Sequence, residues 1–253
     1  MKNVALLILS CDKYNDLWEN YFILLNKFWP DCPFPVYLQT NVLDFECEII
    51  TNVIKVGKDN SWSDDLLQSL SYLKQYDYVL LMMEDMFLNK KVSNTQILSV
   101  LDNFFNVNGN FITLINEPHY DKKFNNNFGI ISPGAMYRAT ATAALWKKKV
   151  LVDILRKNET AWDFEKKGSI RTDQYDGFYA VVNDCFSFFH GVVKGQWTMH
   201  AVKEFDKIGL EIDFSSRKVF SSRKIFLSVF YIYIRKFILR IVPFKYRRFL
   251  LRK

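Results

Sequence analysis

"YVLLMMEDMFL" (78–88) decides the fold. A short continuous apolar run, 78–83, meets Glu84 and Asp85, and apolar character returns at Met86. Such a run reads as a strand buried on both faces, the signature of a largely parallel sheet. In open α/β sheets ligands bind beyond the carboxyl ends of the strands. The two acids stand at such an end, where carboxylates can hold a divalent cation against phosphate oxygens. A solvated loop, or a cap for the next segment, explains the doublet equally well when it is taken alone.

Outward from this stretch, strands and helices alternate. "VALLILS" (4–10) and "FPVYLQT" (34–40) read as buried strands, and "CEIITNVIKVG" (47–57) as one or two short ones. Residues 15–30 carry apolar residues at helical spacing and stop at Pro30. Ser61 is placed to cap a helix over 61–76, with Asp64 and Asp65 in its first turn. A helix over 93–106 and a strand over 110–116 come next. The order predicts βαβ units. Residues 131–159 read as a strand or hairpin leading into helices. A Thr-capped segment begins at 160, a strand, turn and loop at 186–197, and an amphipathic helix at 198–212 with a glycine near its end.

Ser10 and Asp12 follow the first strand, and Thr40 and Asn41 the second. These are positions for a nucleotide pocket. No G-x-G-x-x-G, P-loop or G-x-S-x-G pattern occurs, which argues against dinucleotide, P-loop and α/β-hydrolase chemistry. Four cysteines without C-x-x-C spacing read as reduced thiols, and hence as a cytosolic setting. The apolar run at Val4 is short for a signal peptide and reads as the first strand.

"LLILSCDKY" (6–14), "WSDDLLQSL" (62–70) and "YVLLMMEDMFL", in this order, resemble bacterial nucleotide-sugar glycosyltransferases of the GT-A type. "AWDFEKKGS" (161–169) resembles the acceptor-side segment of small transferases of surface polysaccharide synthesis, such as O-antigen, lipopolysaccharide or capsule. The resemblance spans residues 4 to 212. It implies a Rossmann-like, mixed and mostly parallel sheet flanked by helices. It also implies an acidic motif at the donor, with manganese or magnesium as the possible cation, and a general base in 161–169. Glu165 is the preferred base and Asp163 the alternative. His190 and Lys194 in "FFHGVVKGQW" (188–197), Arg171 in "SIRTDQYDG" (169–177), and Asp64 and Asp65 are further donor-side candidates. His119 is read as loop surface, although "INEPHY" (115–120) follows a strand end and offers an acceptor contact, and His200 as a packed residue.

The sequence departs from the family's Asp-x-Asp. Residues two apart on extended backbone share a face, whereas neighbours oppose each other. Either the chain turns at Glu84, or one acid alone, Asp85 by preference, reaches the donor or a metal. Without a metal, Arg171 or Lys194 would neutralise the departing diphosphate.

Charge divides the chain. From Ser215 onward there are 12 Lys/Arg and no acid, while the preceding residues hold 22 basic and 27 acidic side chains. Residues 1–214 are therefore read as the transferase domain, and 215–253 as a basic amphipathic helical tail. The longest uncharged stretch of the tail, 225–234, has ten residues. That is short of the roughly 20 a spanning helix needs. Its aliphatic content favours an anionic membrane surface over nucleic acid. The expected activity is sugar transfer from a nucleotide sugar to a hydroxyl of a lipid-linked glycan, at the inner face of the cell membrane. A nucleotidyltransferase acting on sugar phosphates and a non-catalytic membrane-binding module are the rivals. The former usually carries a Gly-rich basic loop after its first strand, which "LSCDKYND" (9–16) lacks.

Overall fold

The computed structural model describes residues 2–220. The reading of 221–253 as an amphipathic tail lies outside the described residues. Nine strands form one sheet: β1 (Val4–Leu9), β2 (Val36–Thr40), β3 (Asn52–Lys55), β4 (Tyr78–Met83), β6 (Phe111–Thr113), β7 (Lys122–Lys123), β8 (Phe128–Ile130), β9 (Ala144–Lys147) and β10 (Phe178–Val181). Their spatial order is β3-β2-β1-β4-β9-β6-β10-β8-β7. β1 to β4 run parallel, as do β6 and β10. β9 is wedged antiparallel between β4 and β6. Four further strands form two small ribbons: β5 (Met86–Leu88) with β11 (Phe188–His190), and β12 (Val192–Val193) with β13 (Gln196–Trp197).

Side-chain alternation on the strands produces two cores. Val4, Leu6 and Ile8 of β1, with Tyr78, Leu80 and Met82 of β4, face one layer. That layer is covered by α1 (Asn15–Phe28), α3 (Asn94–Asn106) and α7 (Met199–Ile208). Ala5, Leu7, Leu9, Val79 and Leu81 face the other. This second face is covered by α2 (Trp62–Tyr72), α4 (Lys148–Ile154) and a helical run of α5 (Ala161–Asp163), a π-turn (164–168) and α6 (Ser169–Arg171). Burial on both faces is why the strands read as unbroken apolar runs. The helix starts predicted at Ser61, Ser93, Thr160 and Thr198 are capped by those side chains. Each cap satisfies an orphan N–H of the first turn.

Residues just past the expected boundary at Ser215 contact the body. Arg217 reaches back to Asp16 on α1, and Trp197 exchanges backbone hydrogen bonds with Lys218 and Phe220. The body therefore continues at least to Phe220, because these residues supply an ion pair and ladder bonds that a free tail would lack. No described helix is long and apolar enough to cross a membrane.

Candidate active site

The backbone does turn at the doublet: residues 84–85 form the turn between β4 of the main sheet and β5 of the small ribbon. Glu84 is buried (5% exposed) and Asp85 partly so. Burial, then the charge of Asp85, holds the Glu84 carboxyl well above its usual range. Desolvation raises Asp85 to about 6. Tyr21, buried with an unpartnered hydroxyl, is pushed up by burial and then by Glu84. Cys11 and Tyr14 respond to burial and Glu84 in the same direction. A nest of groups that resist negative charge thus surrounds two carboxylates. Arg217 lies nearby, its guanidinium 4.4 Å from the Tyr14 ring and its charge favouring ionised Glu84.

The nucleotide-side candidates form the adjoining rim. Asp12 accepts backbone hydrogen bonds from Asn41, Val42 and Leu43, while the Asp12 amide donates to Asn41 Oδ1 at 3.0 Å. Asp12 thereby shapes the β1 and β2 loops around each other. Ser10 is buried and accepts the Trp18 indole N–H at 2.7 Å, which ties strand to α1. Asp64 serves the start of α2, accepting from Ser61 and from the Asn158 amide. Asp65 points inward: it is 3% exposed, raised by desolvation, and its Oδ1 has no hydrogen-bond partner among the described residues. Asn41 Nδ2 is likewise buried, and its side chain is close enough to Asp65 to favour the charged form.

The acceptor-side acids separate sharply. Asp163 closes a capping box with Thr160 and pairs with Lys167 at 2.8 Å, and these contacts hold it down at about 2. Glu165, two residues on, is turned toward the protein. It accepts the Thr140 hydroxyl at 3.0 Å, and burial raises its pKa. Glu117, in the loop after β6, bears electrostatically on both Glu165 and His190. His190 sits opposite Met86 in the β5–β11 ribbon, and the following Gly191 amide donates to the Asp85 carbonyl at 2.7 Å. Gly191 has no room for a side chain, since a Cβ there would meet Phe87 Cε2 at 2.1 Å. The Gly191 amide thus ties the His190 strand to Asp85, and the charge of Glu117 reaches both His190 and Glu165.

Two further donor-side candidates have other immediate neighbours. Arg171 is engaged bidentately by Glu159, at 3.0 and 2.6 Å, and by the Ile154 carbonyl. Lys194 occupies the tip of the β12–β13 hairpin, beside Lys13, Asp16 and Arg217. His200, expected to pack, is exposed at the start of α7, with its ring edge against Phe189. His119 is a surface residue hydrogen-bonded to Asn116. The sequence reading missed Glu117 and Arg217. The strand end at "INEPHY" (115–120) was legible in the sequence, but the residue singled out there is His119 and not Glu117. Nothing in the sequence pairs Arg217 with α1, because 201 positions separate it from Asp16.

No family model matches the chain, and no curated protein matches it. Solved structures do. TarS 1–349 of S. aureus, in complex with UDP-GlcNAc, superposes with a TM-score of 0.52 at 11% identity, over 78% of this chain and 60% of that one. A second S. aureus TarS structure gives 0.49 at 11% identity, over 78% and 37%. The bifunctional IspDF from Campylobacter jejuni gives 0.40 at 13% identity, over 68% and 47%. The chain thus spans about 60% of TarS 1–349. The shared fold is a GT-A-like α/β sheet, mostly parallel and flanked by helices.

Proposed function

We propose that this chain is a glycosyltransferase that moves a sugar from a nucleotide-sugar donor to a hydroxyl of a lipid-linked surface glycan. The observation that carries the reading is the β4–β5 turn, which sets two desolvated carboxylates at the sheet's carboxyl edge. That the S. aureus relative in fold was solved with UDP-GlcNAc supports a nucleotide-sugar donor. Asp85, with Glu84, holds the donor end. Asn41, Asp65 and the loop clamped by Asp12 form the nucleoside side. Glu165, oriented by Thr140, takes the proton of the acceptor hydroxyl. His190 and Glu117 line the interval between them.

A divalent cation, manganese or magnesium, fits the doublet. Glu84 and Asp85 oppose each other's ionisation, and no group of three or more His, Cys, Asp or Glu gathers as a closed metal site among the described residues. Two carboxylates whose remaining ligands come from substrate phosphates are a common way to hold such an ion. When bound, it neutralises charge on the departing diphosphate.

The acceptor and location are inferred from the basic C-terminal segment. Its cations, without acids and mixed with aliphatics, suit an anionic membrane surface at the cytoplasmic face, each cation contributing on the order of 1 kcal/mol there. The test is donor turnover across a panel of nucleotide sugars, with and without manganese. Asp85→Ala is expected to abolish turnover on the preferred donor. Release of pyrophosphate instead of a nucleoside diphosphate would indicate nucleotidyl transfer, and absence of nucleotide binding a silent membrane module.

A further inference from the structure

The start of α1, the β12–β13 hairpin and residues 216–218 enclose an open concavity of about 560 Å³. Its wall carries four cations, Lys13, Lys194, Arg217 and Lys218, against one carboxylate, Asp16. That carboxylate is already claimed by Arg217, at 2.6 and 2.7 Å, and by the Ser216 hydroxyl. Lys13 meets Asp59 at 2.6 Å, but its side chain is 77% exposed, and pairs so open are weak. Neither Lys194 nor Lys218 enters an ion pair among the described residues. Residues 221–253 contain no Asp or Glu, so no acidic side chain from that segment can answer them.

Both lysines, Lys194 and Lys218, are exposed, and the backbone that carries them is held by built structure. Val193 pairs with Gln196, which leaves Lys194 and Gly195 as a two-residue hairpin loop. Both are left-handed, with φ of 51° and 74°. Hairpins of this length demand such angles, and Asn or Gly usually supply them. A lysine there accepts a conformational cost. The hairpin is joined to the Lys218 segment by the hydrogen bond from the Trp197 amide to the Lys218 carbonyl, at 3.0 Å. Cations from separate stretches of chain therefore converge, with Asn15, Gln196 and Ser216 between them. Like charges brought together repel unless an anion joins them, and phosphate oxygens accept several charge-assisted hydrogen bonds at once.

We propose that this concavity is a phosphate-binding site separate from the acid doublet, with Lys194 and Lys218 as its main contacts and a phosphate or diphosphate ester as its ligand. The two places share a neighbour: Arg217 lines the concavity and also acts on Glu84. The proposal does not rest on sugar transfer. The phosphate comes either from a free anion or from a lipid headgroup.

The test uses the full chain in chelator-containing buffer, titrated with inorganic pyrophosphate. Lys194→Ala/Lys218→Ala is expected to weaken binding about tenfold or more. Asp85→Asn should leave it unchanged. Lys122→Ala/Lys123→Ala, which removes two exposed lysines from the far edge strand, should shift it less than about twofold. A second arm measures partition onto phosphatidylcholine vesicles with and without phosphatidic acid. If the Lys194/Lys218 variant loses partition only on the phosphatidic acid vesicles, a headgroup is the source; if the vesicle arm does not move, a free anion is. The proposal is overturned if the parent does not bind pyrophosphate, if the control double variant loses as much, or if Asp85→Asn removes binding.

Discussion

Two helix starts in this protein each carry a pair of acids, and in both the pair splits the same way. At α2, Asp64 accepts from Ser61 and Asn158 and is lowered, while Asp65 is buried and raised by desolvation. At the 160 segment, Asp163 accepts from Thr160 and Lys167 and falls to about 2, while Glu165 is raised by burial. The outer acid of each pair serves the helix start, and the inner acid is desolvated by burial. The two starts are also fastened together. Ser63 exchanges hydrogen bonds with Glu159, and the Trp62 and Phe164 rings lie 5.2 Å apart. They differ beyond the first turn. α2 continues as regular helix, whereas the second passes into the π-turn, which carries Glu165. One widened turn lets an acid two residues past Asp163 reach Thr140, a device often found at functional sites.

The largest effect should divide the two acids of the second pair. Glu165→Gln is expected to lower transfer about a thousandfold, the scale of a lost general base, while Asp163→Asn changes it less than about threefold. Steady-state rates on the preferred donor and acceptor check this; equal losses would erase the distinction between inner and outer acids. The next effect concerns the fastening of the two starts. Glu159→Ala leaves Arg171, whose side chain is 19% exposed, without its partner. Unfolding in urea should report a loss of about 3 kcal/mol.

A smaller effect tests whether the inward acids are held at a cost to stability. Asp85 has a raised folded pKa, so the folded state binds more protons than the unfolded state between about pH 4 and 6. Stability from this group is therefore highest in acid and falls as pH rises through that window. Asp85→Asn removes the penalty and should stabilise the ligand-free chain by roughly 2 kcal/mol at pH 8, with little gain at pH 4. Denaturant melts at the two pH values measure the difference, and a gain equal at both would refute the assignment. The smallest effect belongs to the outer acids. Thr160→Ala should cost about 1 kcal/mol through the lost cap, and carboxyl titration by NMR should show Asp163 moving up from about 2.

Much of this architecture is legible in the sequence. The strand at 78–83 and the acids after it, the caps at Ser61 and Thr160, and the parallel order of the first four strands all arise from local pattern. Less legible was the antiparallel β9, because a strand of four residues inside 131–159 has no period long enough to reveal its direction. The roles of neighbouring acids were not legible either. Asp163 and Glu165 look alike in sequence, and Arg171 looks as free as any surface arginine until Glu159 is seen to hold it.

What the sequence determined by itself is the arrangement of buried strands and capped helices, because burial and hydrogen-bond satisfaction act over a few residues and leave a period. What only the tertiary structure decided is which carboxylates lose water and which cations find partners. Those outcomes depend on groups far apart along the chain, such as Arg217 with Asp16 or Glu117 with Glu165, and no local pattern encodes a desolvation that distant residues impose.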